Sequence, residues 1–285
     1  MIAAFIQRAV VQGIPLLFGS TGEIITEKSG NLNLGIPGIM YVGGISGVIG
    51  AFMYERTLTD TSAINPFFAV LIPLFSCLLG SLCMGLIYSI LTVTLRANQN
   101  VTGLALTTFG TGFGNFFGGS LIKLVKSDMP SISLTATSNC FRKTLPFAGE
   151  LGPVGQVLFS YSFLAYMAII LALITSYVLG RTRVGLHLRA VGENPAAADA
   201  AGVNVSAYKY VHILLGGGIC GLGGAYIALV TCGGNWTYNC VGGLGWIAVA
   251  LVIFAAWSPY KALLGSLVFG ALSVLKIYIP TSVIN

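Results

Sequence analysis

Residues 185–205 read GLHLRAVGENPAAADAAGVNV, and they interrupt two long apolar runs with the pattern of a short soluble helix. Asn194 suits the N-cap, Pro195 suits the first helical position, and Gly202 fits the position just after the helix end. The alanine-rich run between them has high helix propensity. We predict a two-turn helix of about 10 Å, which is far too short to cross a bilayer, and a further turn over residues 184–191.

The composition around this stretch is that of a membrane protein. Of 285 residues, 55% are hydrophobic and only 8% are charged, and the mean hydropathy is +0.88. A soluble domain carries about 25% charged residues, because its surface must be wetted. The apolar segments are about 20 residues long, as in membrane helices, rather than about ten, as in barrel strands. The predicted fold class is an all-α polytopic membrane protein.

Apolar windows predict about eight transmembrane helices, with the whole chain, 1–285, forming a single transmembrane domain. Two Gly-rich, Asn-containing stretches, 28–44 and 231–245, are candidate re-entrant segments that would change this number. The connections 119–158 and 181–209 carry four basic residues each, so the positive-inside rule leaves the orientation open. Placing 181–207 inside, with eight crossings, puts both termini outside. The predicted windows are 2–21, 34–54, 66–95, 99–118, 159–180, 208–230, 243–258 and 262–280.

Several kinds of site are disfavoured by the residues present. The net charge of +6 is scattered over loops, which fits the positive-inside tendency and gives no indication of nucleic-acid binding. Two lone histidines predict no metal site, and no pattern points to a cofactor. The sequence holds no Gly-Lys pair, so it has no phosphate loop with which to hydrolyse ATP. No acidic residue is evident in the middle of a span, which counts against an ion-coupled carrier.

Two patterns involve nucleophilic side chains. GISG at 44–47 matches the G-x-S-G of intramembrane rhomboid proteases, with Ser46 as nucleophile and His212 as its base. A serine among glycines is more often a packing residue, so helix packing is the competing interpretation of Ser46. The six cysteines include no C-x-x-C pair. Cys140, Cys232 and Cys240 fall in connecting segments, where a disulfide is left open.

The spacing of the glycines predicts close contacts between helices. Small residues let helix backbones approach in a bilayer, where no hydrophobic effect drives helices together. The chain has 38 glycines, and those spaced for such contacts are Gly43 with Gly47, Gly110 with Gly114 and Gly118, and Gly217 with Gly221.

Three stretches together resemble one family. GRTRVGLHLRAVGENPAAADAAGVNV (180–205) is similar to the cytoplasmic coupling segment of ABC importer permeases of the ribose, branched-chain amino acid and nucleoside group. TEKSGNLNLGIPGIMYVGG (26–44) resembles that family's signature E-x-S-G-x-x-N-L-G-x-x-G, and GLGWIAVALVIFAAWSPYKALLGSLVFG (243–270) resembles its closing helix pair. The family usually has an acid at the position of Pro37, and we expect Pro37 to distort the start of that helix.

The resemblance implies a function and a set of partners. It implies the ABC importer permease bundle and a permease subunit in the cytoplasmic (inner) membrane, without enzymatic activity of its own. The implied partners are a second permease in a heterodimer, a cytosolic ABC ATPase that hydrolyses ATP, and an extracytoplasmic substrate-binding lipoprotein. The chain looks most like the shorter permease of nucleoside importers. Sugar and branched-chain amino acid permeases of the same group remain alternatives.

The resemblance and the polar residues near apolar runs give two sets of candidate site residues. In the coupling segment 181–207, the residues expected to act on the ATPase are Gly185, Arg189, Gly192, Glu193, Asn194, Pro195, Ala197, Ala198 and Gly202. Asparagine side chains can hydrogen-bond base edges and ribose hydroxyls, and aromatic rings can stack on a base, although hydrogen bonds between helices are the more common role. The candidate pathway residues are Asn31, Asn33, Asn98, Asn100, Thr107, Thr108, Asn115, Asn235 and Trp236.

Overall fold

The computed structural model describes residues 2–58, 64–125, 132–144 and 152–278. Within these ranges the chain is helical apart from its connections and one antiparallel pairing of two-residue strands, β1 (Ile132–Ser133) and β2 (Asn235–Trp236). Two π-helical turns, Ile90–Thr94 and Ile227–Thr231, continue the third and tenth helices. The helices are α1 (Ile2–Lys28), α2 (Ile36–Thr57), α3 (Pro66–Ser89), α4 (Gln99–Val125), α5 (Thr135–Phe141), α6 (Gly152–Phe159), α7 (Phe163–Arg181), α8 (Arg183–Glu193), α9 (Pro195–Ala200), α10 (Val205–Tyr226), α11 (Leu244–Phe254) and α12 (Pro259–Tyr278).

The helix lengths confirm the all-α polytopic class. Five described segments are long and apolar enough to cross a membrane, namely Ala3–Lys28, Ile36–Thr57, Pro66–Thr94, Phe163–Arg181 and Val205–Thr231. The remaining predicted windows coincide with α4, α11 and α12. The 27 residues of α4 and the 20 of α12 span about 40 Å and 30 Å at 1.5 Å per residue. The number of eight crossings stays a prediction, because α11 has only 11 residues.

The bundle has a buried centre and an exposed periphery. Most residues of α1, α2 and of the segment 205–231 are buried, whereas only about a third or fewer of the residues of α3 and α7 are buried. Some apolar side chains of these outer helices, such as Phe75 and Tyr177, are more than half exposed. In a membrane protein such side chains suit contact with lipid or with another subunit. The outer helices therefore shield a core built by the three central ones.

The first helix runs seven residues beyond its predicted end at residue 21. Polar residues lower the hydropathy there, yet Glu23 and Thr26 are buried. Hydrogen bonds supplied by the chain make this burial tolerable, since Thr26 Oγ1 donates to the carbonyl of Gly22 at 3.2 Å. The helix ends at Lys28, and Gly30 follows with a φ of +82°, the left-handed conformation that glycine favours after a helix end.

Close contacts confirm most of the glycine packing predicted from spacing. A Cβ atom on Gly43 would lie 2.6 Å from the Cα of Gly221, and one on Gly110 would lie 2.6 Å from the Cα of Gly38. One on Gly118 would lie 2.4 Å from the indole nitrogen of Trp236. Larger side chains at these positions would push the helices apart.

The predicted distortion by Pro37 is wrong. Pro37 lies in the first turn of α2, which begins at Ile36, and a helix tolerates proline there because the first N–H groups have no partner within the helix. The α1–α2 connection is a short turn, and α2 continues to Thr57. The stretch 28–44 is therefore not a re-entrant segment.

The long connections contain more structure than the hydropathy indicates. Part of 119–158 lies outside the described residues, but the rest contains the end of α4, β1, α5 and α6. Helix α5 is anchored to the bundle because Ser138 Oγ donates to the carbonyl of Leu229 at 2.8 Å. The stretch 232–243 is a non-helical connection apart from β2. Whether it is re-entrant stays a prediction.

Candidate functional site

The short helix of the coupling segment forms as predicted. The side chain of Asn194 caps α9 by accepting a hydrogen bond from Ala197 N at 3.1 Å. Pro195 is the first helical residue. Gly202 follows the helix end with a φ of +82°, and its N–H donates to the carbonyl of Asp199 at 2.8 Å. All three terminal signals in the sequence are confirmed. The further turn expected over 184–191 is a three-turn helix, α8, of 11 residues.

Two glycines seat α8 against the membrane helices. A Cβ atom on Gly185 would lie 2.2 Å from the carbonyl oxygen of Val178 in α7. A Cβ atom on Gly192 would lie 2.4 Å from the carbonyl oxygen of Lys28, the last residue of α1. Only glycine fits such approaches to backbone without displacement. The coupling segment is therefore fixed directly to the ends of two membrane helices.

The two alanines of α9 that are expected to contact the ATPase differ in exposure. Ala197 is exposed, as expected of a residue that contacts a partner. Ala198, in contrast, is only 3% exposed. Its methyl group packs against the chain itself, and its contact with the ATPase stays a prediction. The alternation follows from helical geometry, because successive residues point about 100° apart.

A charged crevice of about 190 Å³ lies beside this contact. It combines two acidic and two basic side chains with an indole ring at the end of the bundle that carries the coupling segment. The indole nitrogen of Trp257 donates a hydrogen bond to a carboxylate oxygen of Glu27. This bond joins the α11–α12 connection to the end of α1. The lining residues are Glu27, Lys28, Arg189, Gly192, Glu193 and Trp257.

A buried acid organises the α1–α2 turn. Glu23 is 1% exposed, and its Oε1 accepts a hydrogen bond from Asn33 N at 2.8 Å. Its Oε2 has no hydrogen-bond partner among the described residues. Glu23 belongs to the apolar segment Ala3–Lys28, but it lies near the end of that segment and not in its middle, where no acid was predicted. Sequence reasoning missed it because the predicted helix ended at residue 21.

The two asparagines of the α1–α2 turn form hydrogen bonds with other residues of the same turn. The amide oxygen of Asn33 accepts from Gly35 N at 2.9 Å, and the amide nitrogen of Asn31 donates to Ser29 Oγ at 2.9 Å. Both residues are almost fully buried. Gln99 at the start of α4, which the sequence analysis did not select, accepts from Leu32 N at 2.8 Å. The geometry of Asn31 and Asn33 therefore favours the structural alternative over a pathway role.

The second cluster of polar groups lies where the 232–243 connection meets α2 and α4. The Tyr41 hydroxyl donates to the side-chain oxygen of Asn239 at 2.5 Å and accepts from Gly242 N at 3.2 Å. Asn239 N donates to the side-chain oxygen of Asn115 at 3.0 Å. Asn239 has a φ of +59°, which asparagine tolerates better than most residues. Among the predicted pathway residues, the structure brings Asn115 and the 235–236 pair to this region.

Trp236 does not line an open surface. It is 1% exposed and meets Tyr41 edge to face, with ring centroids 6.3 Å apart. The close approach of Gly118 to its indole ring wedges the side chain between α2 and α4. In this conformation Trp236 is a packing residue, so its selection as a group that contacts cargo is not supported by its burial.

The other candidates are spread along α4 and its start. Asn98 is exposed and caps α4 by accepting from Val101 N at 3.1 Å. The Thr107 hydroxyl donates to the carbonyl of Leu34 at 2.7 Å. Asn100, Thr108 and Asn235 are exposed as well, and with Asn98 and the partly exposed Asn115 they present side chains to an open surface.

The proposed serine–histidine pair does not assemble. Gly43 of α2 contacts Gly221 of α10, and the two helices run in the same direction there. Ser46 lies beyond this level and His212 lies before it, so about 18 Å separates them along the helices. His212 Nδ1 instead lies 2.7 Å from the carbonyl oxygen of Tyr208. The protease alternative is therefore wrong.

Comparison with known proteins gives the family of this bundle. Residues 5–283 match the family described as "Branched-chain amino acid transport system / permease component". The chain belongs to this family. It is accordingly a multi-pass membrane permease, as the coupling segment and the signature at 26–44 predicted, and the resemblance stated from the sequence is confirmed.

Individual relatives extend the likeness over most of the chain. The nucleoside ABC transporter permease protein NupC of Lactococcus lactis is 33% identical over 269 residues, which cover 94% of this chain and 80% of the relative. A second relative is named as a putative glucose ABC transporter permease protein, TsgC13 of Haloferax volcanii. It is 32% identical over 97% of this chain and 77% of its own length. The guanosine ABC transporter permease protein NupQ of Bacillus subtilis is 30% identical over 98% and 85%. No solved structure matches the chain.

Proposed function

We propose that this permease forms the membrane path of an ATP-driven ABC importer for nucleosides in the cytoplasmic (inner) membrane. The observation that carries the proposal is the coupling segment, a capped surface helix fixed through Gly192 to the end of α1. A helix too short to cross a bilayer, with exposed alanines such as Ala197, suits insertion into a groove of another protein.

The partner at this helix is a cytosolic ATPase. The exposed residues expected to contact it are Arg189, Glu193, Pro195 and Ala197, while Gly185, Gly192, Asn194 and Gly202 shape the segment. Motion of the ATPase would reach α1 and α7 through the two glycine contacts. This orientation places residues 181–207 in the cytosol and the 232–243 connection on the opposite side, which the 27-residue segment Val205–Thr231 separates from it.

Nucleosides are the proposed cargo. Two nucleoside permeases are among the relatives that align over nearly the whole chain. The surface-facing amides of Asn100, Asn115 and Asn235 can hydrogen-bond a base edge or a ribose hydroxyl without a charge. A zwitterionic amino acid would have two charges to desolvate, each costing several kcal/mol if unpaired.

Glucose is the second candidate, because one relative carries a glucose permease name. Sugars share the hydrogen-bonding advantage of a nucleoside, but they have no flat ring to stack. Uptake of labelled adenosine, glucose and leucine by cells with and without the gene tests the choice. If cells without the gene lost glucose entry and kept adenosine entry, glucose would take the place of nucleosides as the proposed cargo.

The assembly is proposed to contain a second permease and a substrate-binding lipoprotein. All 285 residues then form one transmembrane domain, which pairs with a different permease chain. Affinity purification of the tagged chain, followed by mass spectrometry, tests the composition. Recovery of this permease with only copies of itself and an ATPase would contradict the heterodimer.

A further inference from the structure

The connection that follows α10 brings two thiols into contact. Cys232 comes directly after the π-helical turn Ile227–Thr231, and Cys240 lies eight residues later. Their Sγ atoms are 3.5 Å apart. Both side chains are partly exposed, and neither is in a disulfide. The sequence left a disulfide among the loop cysteines open, and the structure singles out this pair.

The backbone of the connection holds the two thiols in place. Asn235 N donates to the carbonyl of Cys232 at 3.2 Å, and Cys240 N donates to the carbonyl of Thr237 at 3.2 Å. Gly233 and Gly234 adopt φ values of +65° and +80°, which make the sharp reversal possible. A disulfide has a sulfur–sulfur distance of about 2.05 Å. The thiols therefore need to move by only about 1.5 Å.

The two thiols differ in chemical character. The hydrogen bond from the Cys240 thiol lowers the pKa of Cys232. The same hydrogen bond and burial raise the pKa of Cys240. Because the thiolate is the nucleophile in disulfide exchange, Cys232 is the residue that attacks first near neutral pH. Cys240 lies close enough to attack the mixed disulfide that Cys232 would form.

We propose that Cys232 and Cys240 are a modification site that closes into a reversible intrachain disulfide. The oxidant is a low-molecular-weight disulfide, RSSR. The Cys232 thiolate attacks one sulfur of RSSR, which forms a mixed disulfide and releases one thiolate, RS⁻. Cys240 loses its proton and attacks the Cys232 sulfur, releasing the second thiolate. In sum, two cysteine thiols are oxidised and one RSSR is reduced to two RSH.

Closing this disulfide would fix the part of the connection that meets the central helices. The segment between the two cysteines contains Asn239, which bonds Tyr41 and Asn115. It also contains the buried Trp236. The oxidising environment that would sustain the disulfide outside the cytosol rests on the orientation in the proposed function. The chemistry of the thiol pair does not depend on that orientation.

Mass spectrometry of the purified full-length chain tests the proposal. The protein is treated with oxidised glutathione, alkylated with N-ethylmaleimide and digested. We expect the wild-type peptide that contains both cysteines to carry no alkyl group and to lack two hydrogen atoms, and dithiothreitol to reverse this. Cys240→Ser should trap glutathione on Cys232. The control Cys83→Ser, which removes an exposed thiol on α3, should close the pair as the wild type does.

Two outcomes would overturn the proposal. One is full alkylation of both cysteines after oxidation, and the other is a wild-type chain that keeps glutathione on Cys232 without closing. A separate measurement tests the orientation, because a membrane-impermeant maleimide applied to intact spheroplasts should label Cys232 in the reduced wild type. Closure of the purified pair without such labelling would support the thiol chemistry and contradict the proposed orientation.

Discussion

The carboxylate of Glu23 accepts a hydrogen bond from the backbone N–H of Asn33 at 2.8 Å. This bond links the buried end of α1 to the turn that leads into α2. The same turn meets the coupling segment, since a Cβ atom on Gly30 would lie 3.1 Å from the Cα of Gly192. Glu23 therefore supports the surface on which the coupling segment rests.

Glu23→Gln should fold nearly as well as the wild type, whereas Glu23→Ala should be less stable. Glutamine keeps a side-chain oxygen that can accept from Asn33 N, but alanine leaves a buried N–H unpaired at a cost of about 1–3 kcal/mol. Thermal stability of the detergent-purified variants measures the difference. Equal melting temperatures for the two variants would show that the bond does not hold the turn.

Gly192→Ala should destabilise the contact between α8 and α1. The added methyl group would lie 2.4 Å from the carbonyl oxygen of Lys28, and backbone atoms cannot rotate away as a side chain does. We expect a loss of about 1–3 kcal/mol and reduced uptake. The matched control is Gly180→Ala in α7, where nothing lies within 4 Å of the new Cβ. If both variants transport at the wild-type rate, the contact is not part of the coupling path.

Ala197→Arg should prevent association with the ATPase without preventing membrane insertion. Ala197 is exposed on α9, so arginine does not disturb the chain itself, but a groove that fits methyl groups would have to bury an unpaired charge at a cost of several kcal/mol. Co-purification of the ATPase measures the effect, with Ala197→Ser as the conservative control. Ala198→Arg should instead lower the amount of folded protein, because Ala198 is buried. Undiminished co-purification with Ala197→Arg would contradict the docking role.

Tyr41→Phe and Asn115→Ala should weaken transport in a non-additive way. Both residues hold Asn239, from its side chain and its backbone respectively, and each bond contributes about 1 kcal/mol. Residues in one hydrogen-bond network give coupled effects in a double-mutant cycle. The apparent KM for cargo uptake should rise about fivefold in each single variant, which corresponds to about 1 kcal/mol, and the double variant should add little. Fully additive effects would indicate that the two bonds act independently.

Much of the helical framework was predictable because the signals are local. Apolar length gives the helices, and the Asn194 cap, Pro195 and Gly202 give the bounds of α9. The glycine spacing predicted the contacts of Gly43 and Gly110, because close approach of backbones requires the absence of a side chain. These features depend on a few neighbouring residues.

The features that could not be predicted from the sequence depend on contacts between distant segments. The hydropathy pattern placed the end of α1 at residue 21, because it does not show that Asn33 N donates a hydrogen bond to one oxygen of the Glu23 carboxylate. The inward direction of Ala198 follows from how α9 lies on the chain. The approach of Cys232 to Cys240 follows from a backbone reversal at two left-handed glycines. Trp236 was selected for its aromatic ring, but contacts with α2 and α4 decide its burial.

ATP-dependent accumulation of labelled adenosine in proteoliposomes tests the central claim most directly. The vesicles would contain this permease with its co-purified partner permease and ATPase, and the purified binding protein loaded with adenosine would be added outside. We predict accumulation that requires ATP inside, stops when this chain is omitted, and is competed by guanosine but not by leucine. Adenosine accumulation that persists without this chain, or a complete complex that moves leucine and no nucleoside, would contradict the account.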